Sequence, residues 1–411
     1  MADATDDHSE ADGLSREERR ERRLRRIMHS AVGLFAVNAL LMLAWVAYDY
    51  AFVYRIPRGT TVVDGSVVRD YAPLFDHFFT TAKYEKLRPY LYYRHYVIPD
   101  GAVEIRSSAF LGRKLRSVRI PDSVTKLDSG IFSGCGELRE VDLPDSVTEI
   151  RRKMFLNNHK LTRVHLPAGT KVIMDEVFRN CSSLREIVIP DGAEKIGSRA
   201  FFNCSGLEKV VIPDSVKEIG PQAFYGCSAL RTLEIPDTVE HISGAAFRMC
   251  AGLEEIRLPA GMVRNRTGEG PRPLERNMPG GLPGPAPAIP YATPPNPDIE
   301  NSLFEDCTSL KKVVIPEGVR EIGISSFAHC TSLEEIVLPE SLLLICKNAF
   351  FGCTSLKRIV IPEGVVGIDS QAFADCSSLA EIEFRSSSVT VSRTAFAGTP
   401  VPPETLQAVL K

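Results

Sequence analysis

The sequence predicts an α/β repeat protein, a solenoid of stacked strand-bearing units, preceded by one N-terminal transmembrane helix. Three observations carry that prediction. Phenylalanine returns at a fixed interval from Phe110 to Phe396, proline returns in the same frame from Pro99 to Pro362, and residues 27–48 contain no Asp, Glu, Lys or Arg.

The phenylalanines are Phe110, Phe132, Phe155, Phe178, Phe201, Phe224, Phe247, Phe304, Phe327, Phe350, Phe373 and Phe396; apart from a first step of 22 and one jump of 57, every step is 23. Aligned on them, the unit reads IPxxVxxIxxxAFxxCxxLxxVx. In its LxxVxI part, as in Leu207 to Ile212, the last two apolar positions are two apart, which puts both on one face of a strand. Proline then ends the strand because it has no N–H for a ladder. The remaining VxxIxxxAF returns the chain through turns and a short helical or extended piece. One unit is too small to bury this apolar surface, whereas stacked units share a continuous core. Twelve rungs at the strand spacing of roughly 4.8 Å make a rod of about 55 Å.

This pattern resembles the BspA-like leucine-rich repeat family, and the match spans residues 97–400. The resemblance implies a leucine-rich-repeat solenoid with a parallel β-sheet on the concave face. It also implies membership among cell-surface proteins used in adhesion and host contact.

Nine cysteines, Cys135, Cys181, Cys204, Cys227, Cys250, Cys307, Cys330, Cys353 and Cys376, share one place in their rungs, while Asn158 replaces cysteine in one rung. Cβ atoms one rung apart stand about 4.8 Å from each other, beyond the usual 3.5–4.5 Å of a disulfide. No CxxC or clustered Cys/His spacing suggests zinc. The favoured reading is a column of buried free thiols, with some disulfides or a metal as the alternatives. Cys346, in "LLLIC", stands outside the column.

Residues 1–26 read as a charged cytoplasmic tail and residues 27–48 as a helix long enough to span a bilayer. The stretch "SREERRERRLRR" before that helix holds seven arginines against three glutamates, which predicts a cytoplasmic N-terminus and extracellular repeats. Residues 49–96 read as a linker and an aromatic N-terminal cap, residues 401–411 as a C-terminal cap. The jump of 57 is one repeat plus an insertion at Asn265 to Asp298. Ten prolines and five glycines among its 34 residues cannot build a core, and the solenoid is expected to resume in frame beyond it.

Two outward columns of the strands bear on binding. The position before Val alternates in sign from Glu140 and Arg163 to Arg358 and Glu381, with Thr232 the exception. Neighbours in such a column neutralise one another, which argues against an acidic or basic ligand track. The position after Val carries Val188, Val211, Val314, Val337 and Val360, and these valines are the candidate protein-binding residues.

A composition 44% hydrophobic and 25% charged with net charge −3 excludes a disordered chain and argues against a nucleic-acid partner. There is no phosphate-cradling glycine loop, HExxH or GxSxG motif, so the chain is expected to be no enzyme and to use no cofactor. The expected function is an anchored surface protein whose partner is a protein or cell-surface glycan, held to the membrane through the N-terminal helix. The alternative is a structural or regulatory envelope scaffold that docks a membrane partner, its arginine-rich tail contacting anionic lipid.

Overall fold

The computed structural model describes residues 53–56, 59–64, 95–264 except 108, and 298–407 except 387. The chain divides into two compact units, Met1–Tyr54 and Arg55–Lys411, and the solenoid is the second. Among the described residues no helix is long and apolar enough to cross a membrane. The expected transmembrane segment at 27–48, most of the aromatic cap, and the insertion up to residue 297 lie outside the described residues.

Each rung has three sides. The LxxVxI segment forms a strand of two to four residues, such as Glu186–Val188, paired parallel to its successor in the register Glu186↔Lys209, Ile187↔Val210, Val188↔Val211. The alternation exposed, buried, exposed along this strand points the central Ile inward and leaves Glu and Val outside. The chain then turns at Ile-Pro, where the proline carbonyl accepts the N–H three residues on, as from Val147 to Pro144. A two-residue strand follows, such as Lys195–Ile196, and these build a second parallel ladder, with Ile196 opposite Ile173 and Ile219. The third side is a run of tight turns.

That third side corrects the α/β expectation. Helix among the described residues is confined to α1 (Gly261–Arg264) and α2 (Pro403–Gln407), so the molecule is a β-solenoid. The residues two before and two after each inner phenylalanine adopt left-handed backbone, as at Lys153 (φ 59°) and Asn157 (φ 62°) around Phe155. Two such residues within five positions interrupt any right-handed helix. The turns are nonetheless tied from rung to rung: the N–H groups of Lys153, Phe155 and Asn157 donate to the carbonyls of Asp175, Val177 and Arg179.

The core follows the repeat. All twelve phenylalanines are buried and their rings form one continuous stack, with neighbouring centroids 5.0 to 5.6 Å apart. Such pairs contribute about 0.5–1.5 kcal/mol each beyond their burial. The column passes the insertion without a break, since Phe247 lies 5.5 Å from Phe304. Tyr96 closes it edge-on against Phe110 and Phe384 against Phe396. Frame is preserved as expected: the Glu255–Arg257 strand pairs with Lys312–Val314, and Ile299 bridges Ile322.

All ten cysteines are free and buried. The nine in the column each turn the thiol to the phenylalanine carbonyl of the preceding rung, as Cys227 Sγ does to Phe201 O at 3.2 Å. A thiol is small enough for the site and carries a weak donor for that oxygen. Burial pushes Cys204 and Cys250 up to about 12, so they stay protonated at neutral pH.

The ladders also begin one rung before the first full repeat of the sequence pattern. Val62 and Val63 pair parallel with Glu104 and Ile105, Ile56 donates its N–H to Val97 O, and Val63 is buried. At the other end Val401 is buried, while α2 buries none of its residues.

Candidate protein-binding surface

The outward side chains of the long strands stand in three parallel columns because register is kept from rung to rung. In the column before the buried Val or Ile, the sign alternation expected from sequence becomes contact. Arg163 lies 3.3 Å from Glu140 and Lys209 lies 2.9 Å from Glu186. A second column beside it, which the sequence reading passed over, alternates as well from Arg185 and Glu208 to Lys311 and Glu334. There Lys311 reaches Glu254 at 3.1 Å. All of these pairs are exposed and each contributes about 0–1 kcal/mol. Their larger effect is to leave this face with little net field.

The third column holds the candidate valines. Val337 is 66% exposed, Val188 56%, Val314 42% and Val211 40%. The register sets Val188 beside Val211 and Val314 beside Val337. The predicted residues therefore come together as two separate pairs, because Glu234 and Arg257 stand between them in the column. Val360 is only half-buried rather than exposed, and Glu383 lies opposite it in the next strand. Arg358 reaches Glu383 at 2.8 Å, which frames this end of the stripe with charge. Branched apolar side chains exposed on a strand face offer a dry contact with low side-chain entropy.

Among the described residues no group of three His, Cys, Asp or Glu side chains is placed to hold a metal ion.

The family is decided by the repeat itself. The BspA type leucine rich repeat region matches in six copies, over residues 90–206, 171–266 and 297–406. The chain belongs to the BspA-type leucine-rich repeat family. No curated protein matches it. Similar solved structures include a leucine-rich repeat protein from Bacteroides ovatus, 28% identical over 72% of this chain and 80% of that one, with a TM-score of 0.46. A leucine rich cell surface protein from Faecalibacterium prausnitzii is 22% identical over 87% of this chain and 90% of that one, with a TM-score of 0.39. A leucine-rich repeat protein from Eubacterium ventriosum is 18% identical over 75% and 77%, with a TM-score of 0.42. Within the repeats of this BspA-type chain the third column is uneven, with valines and charged residues in separate blocks.

Proposed function

We propose that the chain is a membrane-anchored, surface-exposed binding protein without catalysis, whose solenoid captures a protein partner through the valine column of its long-strand face. The observation that carries this reading is the exposed Val314–Val337 pair on a face whose charges cancel. A self-neutralised surface attracts neither polyanions nor polycations at long range, so short-range apolar contact is left to decide the partner. Aliphatic valines favour a protein over a glycan, because sugar rings are held against flat aromatic faces, and this column has none. Attachment to the membrane through residues 27–48, with the repeats outside, follows from the arginine block before Ile27.

Capture of the partner from the surface where the full-length chain resides tests the site. Val337→Lys removes binding without lowering the melting temperature, because the side chain it replaces is exposed and contributes little to the core. Glu335→Lys only disturbs one rung of a neutralised column and leaves binding within a few-fold. Equal capture by wild type and Val337→Lys overturns the site. The topology has its own measurement: protease added to intact cells removes the repeats while a tag after Met1 stays protected. Protection of both ends overturns the surface assignment.

A further inference from the structure

The last long strand, Glu381–Phe384, breaks the burial pattern of every rung before it. Its inward residues Ile382 and Phe384 are half-exposed, whereas their counterparts Ile359 and Ile361 one rung earlier are fully buried. The rest of this end is closed, since Val391, Phe396 and Val401 are all buried. The backbone is open at the same place. In a parallel ladder a residue turns its N–H and C=O to one neighbour and the next residue turns them to the other. The N–H groups of Glu381 and Arg385 donate back to Lys357 and Ile361, so those of Ile382 and Phe384 point away from the solenoid, and among the described residues no strand pairs with them.

We propose that this edge is where a second copy of the chain pairs, strand against strand, antiparallel and centred on Glu383. The stretch Glu-Ile-Glu-Phe-Arg, residues 381–385, is complementary to itself in that register. Ile382 faces Phe384 of the second copy, apolar against apolar, and the edge-pointing backbone groups of both supply about four hydrogen bonds. Glu381 faces Arg385 of the second copy, twice by symmetry. Glu383 meets Glu383 on the axis, each already hydrogen-bonded to its own Arg358 and Arg385, at 2.8 and 3.2 Å. Other centres are poorer. Centring on Ile382 sets Glu381 against Glu383, and centring on Phe384 sets Ile382 against Ser386. A centre between two residues mismatches the hydrogen-bonding edge altogether.

The full-length chain in detergent tests this by mild oxidation of single-cysteine variants and by sedimentation. All ten native cysteines are buried, so an introduced thiol is the accessible one. Glu383→Cys places two thiols in a non-hydrogen-bonded antiparallel pair with Cα atoms about 4.5 Å apart, within disulfide reach. It is expected to give a covalent dimer, and Glu381→Cys and Val337→Cys are not. Glu381→Arg is expected to weaken the dimer about tenfold and Glu381→Arg/Arg385→Glu to restore it. Ile382→Pro removes an outward N–H without touching the ladder to the previous rung, and is expected to yield monomer with unchanged melting. A chain that is monomeric at all concentrations overturns the proposal. So does a dimer indifferent to Ile382→Pro, or Val337→Cys cross-linking as readily as Glu383→Cys.

Discussion

Asn158 occupies the place that cysteine holds in nine other rungs, fully buried, and among the described residues neither its side-chain Nδ2 nor its Oδ1 has a hydrogen-bond partner. Asn158→Cys restores a thiol aimed at the carbonyl of Phe132 and removes two unsatisfied polar atoms. It is expected to stabilise the fold by about 1–3 kcal/mol, and an unchanged or lower urea midpoint would refute this. The thiols also set a pH limit. Burial raises Cys204 and Cys250 from 9.0 to about 12, so the folded chain binds more protons than the unfolded one between these values. The stability they contribute is fully present below pH 9 and is lost as pH rises towards 12. Between pH 9 and 10 each thiol costs about 1 kcal/mol, so Cys204→Ala/Cys250→Ala should show a visibly shallower alkaline slope in urea titrations. The cysteine column was legible from spacing alone, and its free, buried state followed from rung geometry. Its hydrogen bond was not, because it depends on where a carbonyl of the previous rung points. The residue before each cysteine held a further signal: Asn180, Asn203, Gly226 and Asp306 all have φ between 56° and 72°, the left-handed region that Gly, Asn and Asp tolerate best. Met249 and His329 occupy the same conformation, which blurs that pattern to a reader of sequence.

At the scale of the element, the rung at the insertion departs from the others in a way that its sequence only half disclosed. In place of extended chain, Gly261–Arg264 forms the single turn α1. Gly261 must be glycine there, since a Cβ would lie 2.4 Å from the carbonyl oxygen of Val239. On the far side Asp298, read from sequence as the last residue of the insert, belongs to the rung. Its Oδ2 accepts the N–H groups of Arg320 and Glu321 at 2.6 and 3.2 Å. Deleting residues 264–297 leaves Met262-Val263-Asp298-Ile299, the spacing of Val239-Glu240-His241-Ile242 one rung earlier. That deletion should fold with a melting temperature within a few degrees of wild type, and a loss of cooperative melting would show that the insert is structural. The early rung at Val62–Val63 was hidden by the opposite difficulty. "RIPRGTTVV" repeats "VIPDGAVEI" at a spacing of 42, outside the 23-residue frame that exposes the others.

For the molecule as a whole, the rungs contact almost only their neighbours, so most tertiary contacts join residues some 23 to 26 positions apart, as the thiol bonds do. A β protein built this way has a contact order as low as that of a helical bundle, which predicts folding faster than other β architectures of its size. The exception is the step from Phe247 to Phe304. Closing a 57-residue loop in place of a 23-residue one costs about 0.8 kcal/mol more in chain entropy, and that cost falls at one interface of the stack. Rings Phe110 to Phe247 and rings Phe304 to Phe396 are thereby two kinetic segments. Each can nucleate and zip along its own length, and the contact between Phe247 and Phe304, at 5.5 Å no wider than others in the finished column, is the step of the stack that carries the largest chain-entropy cost.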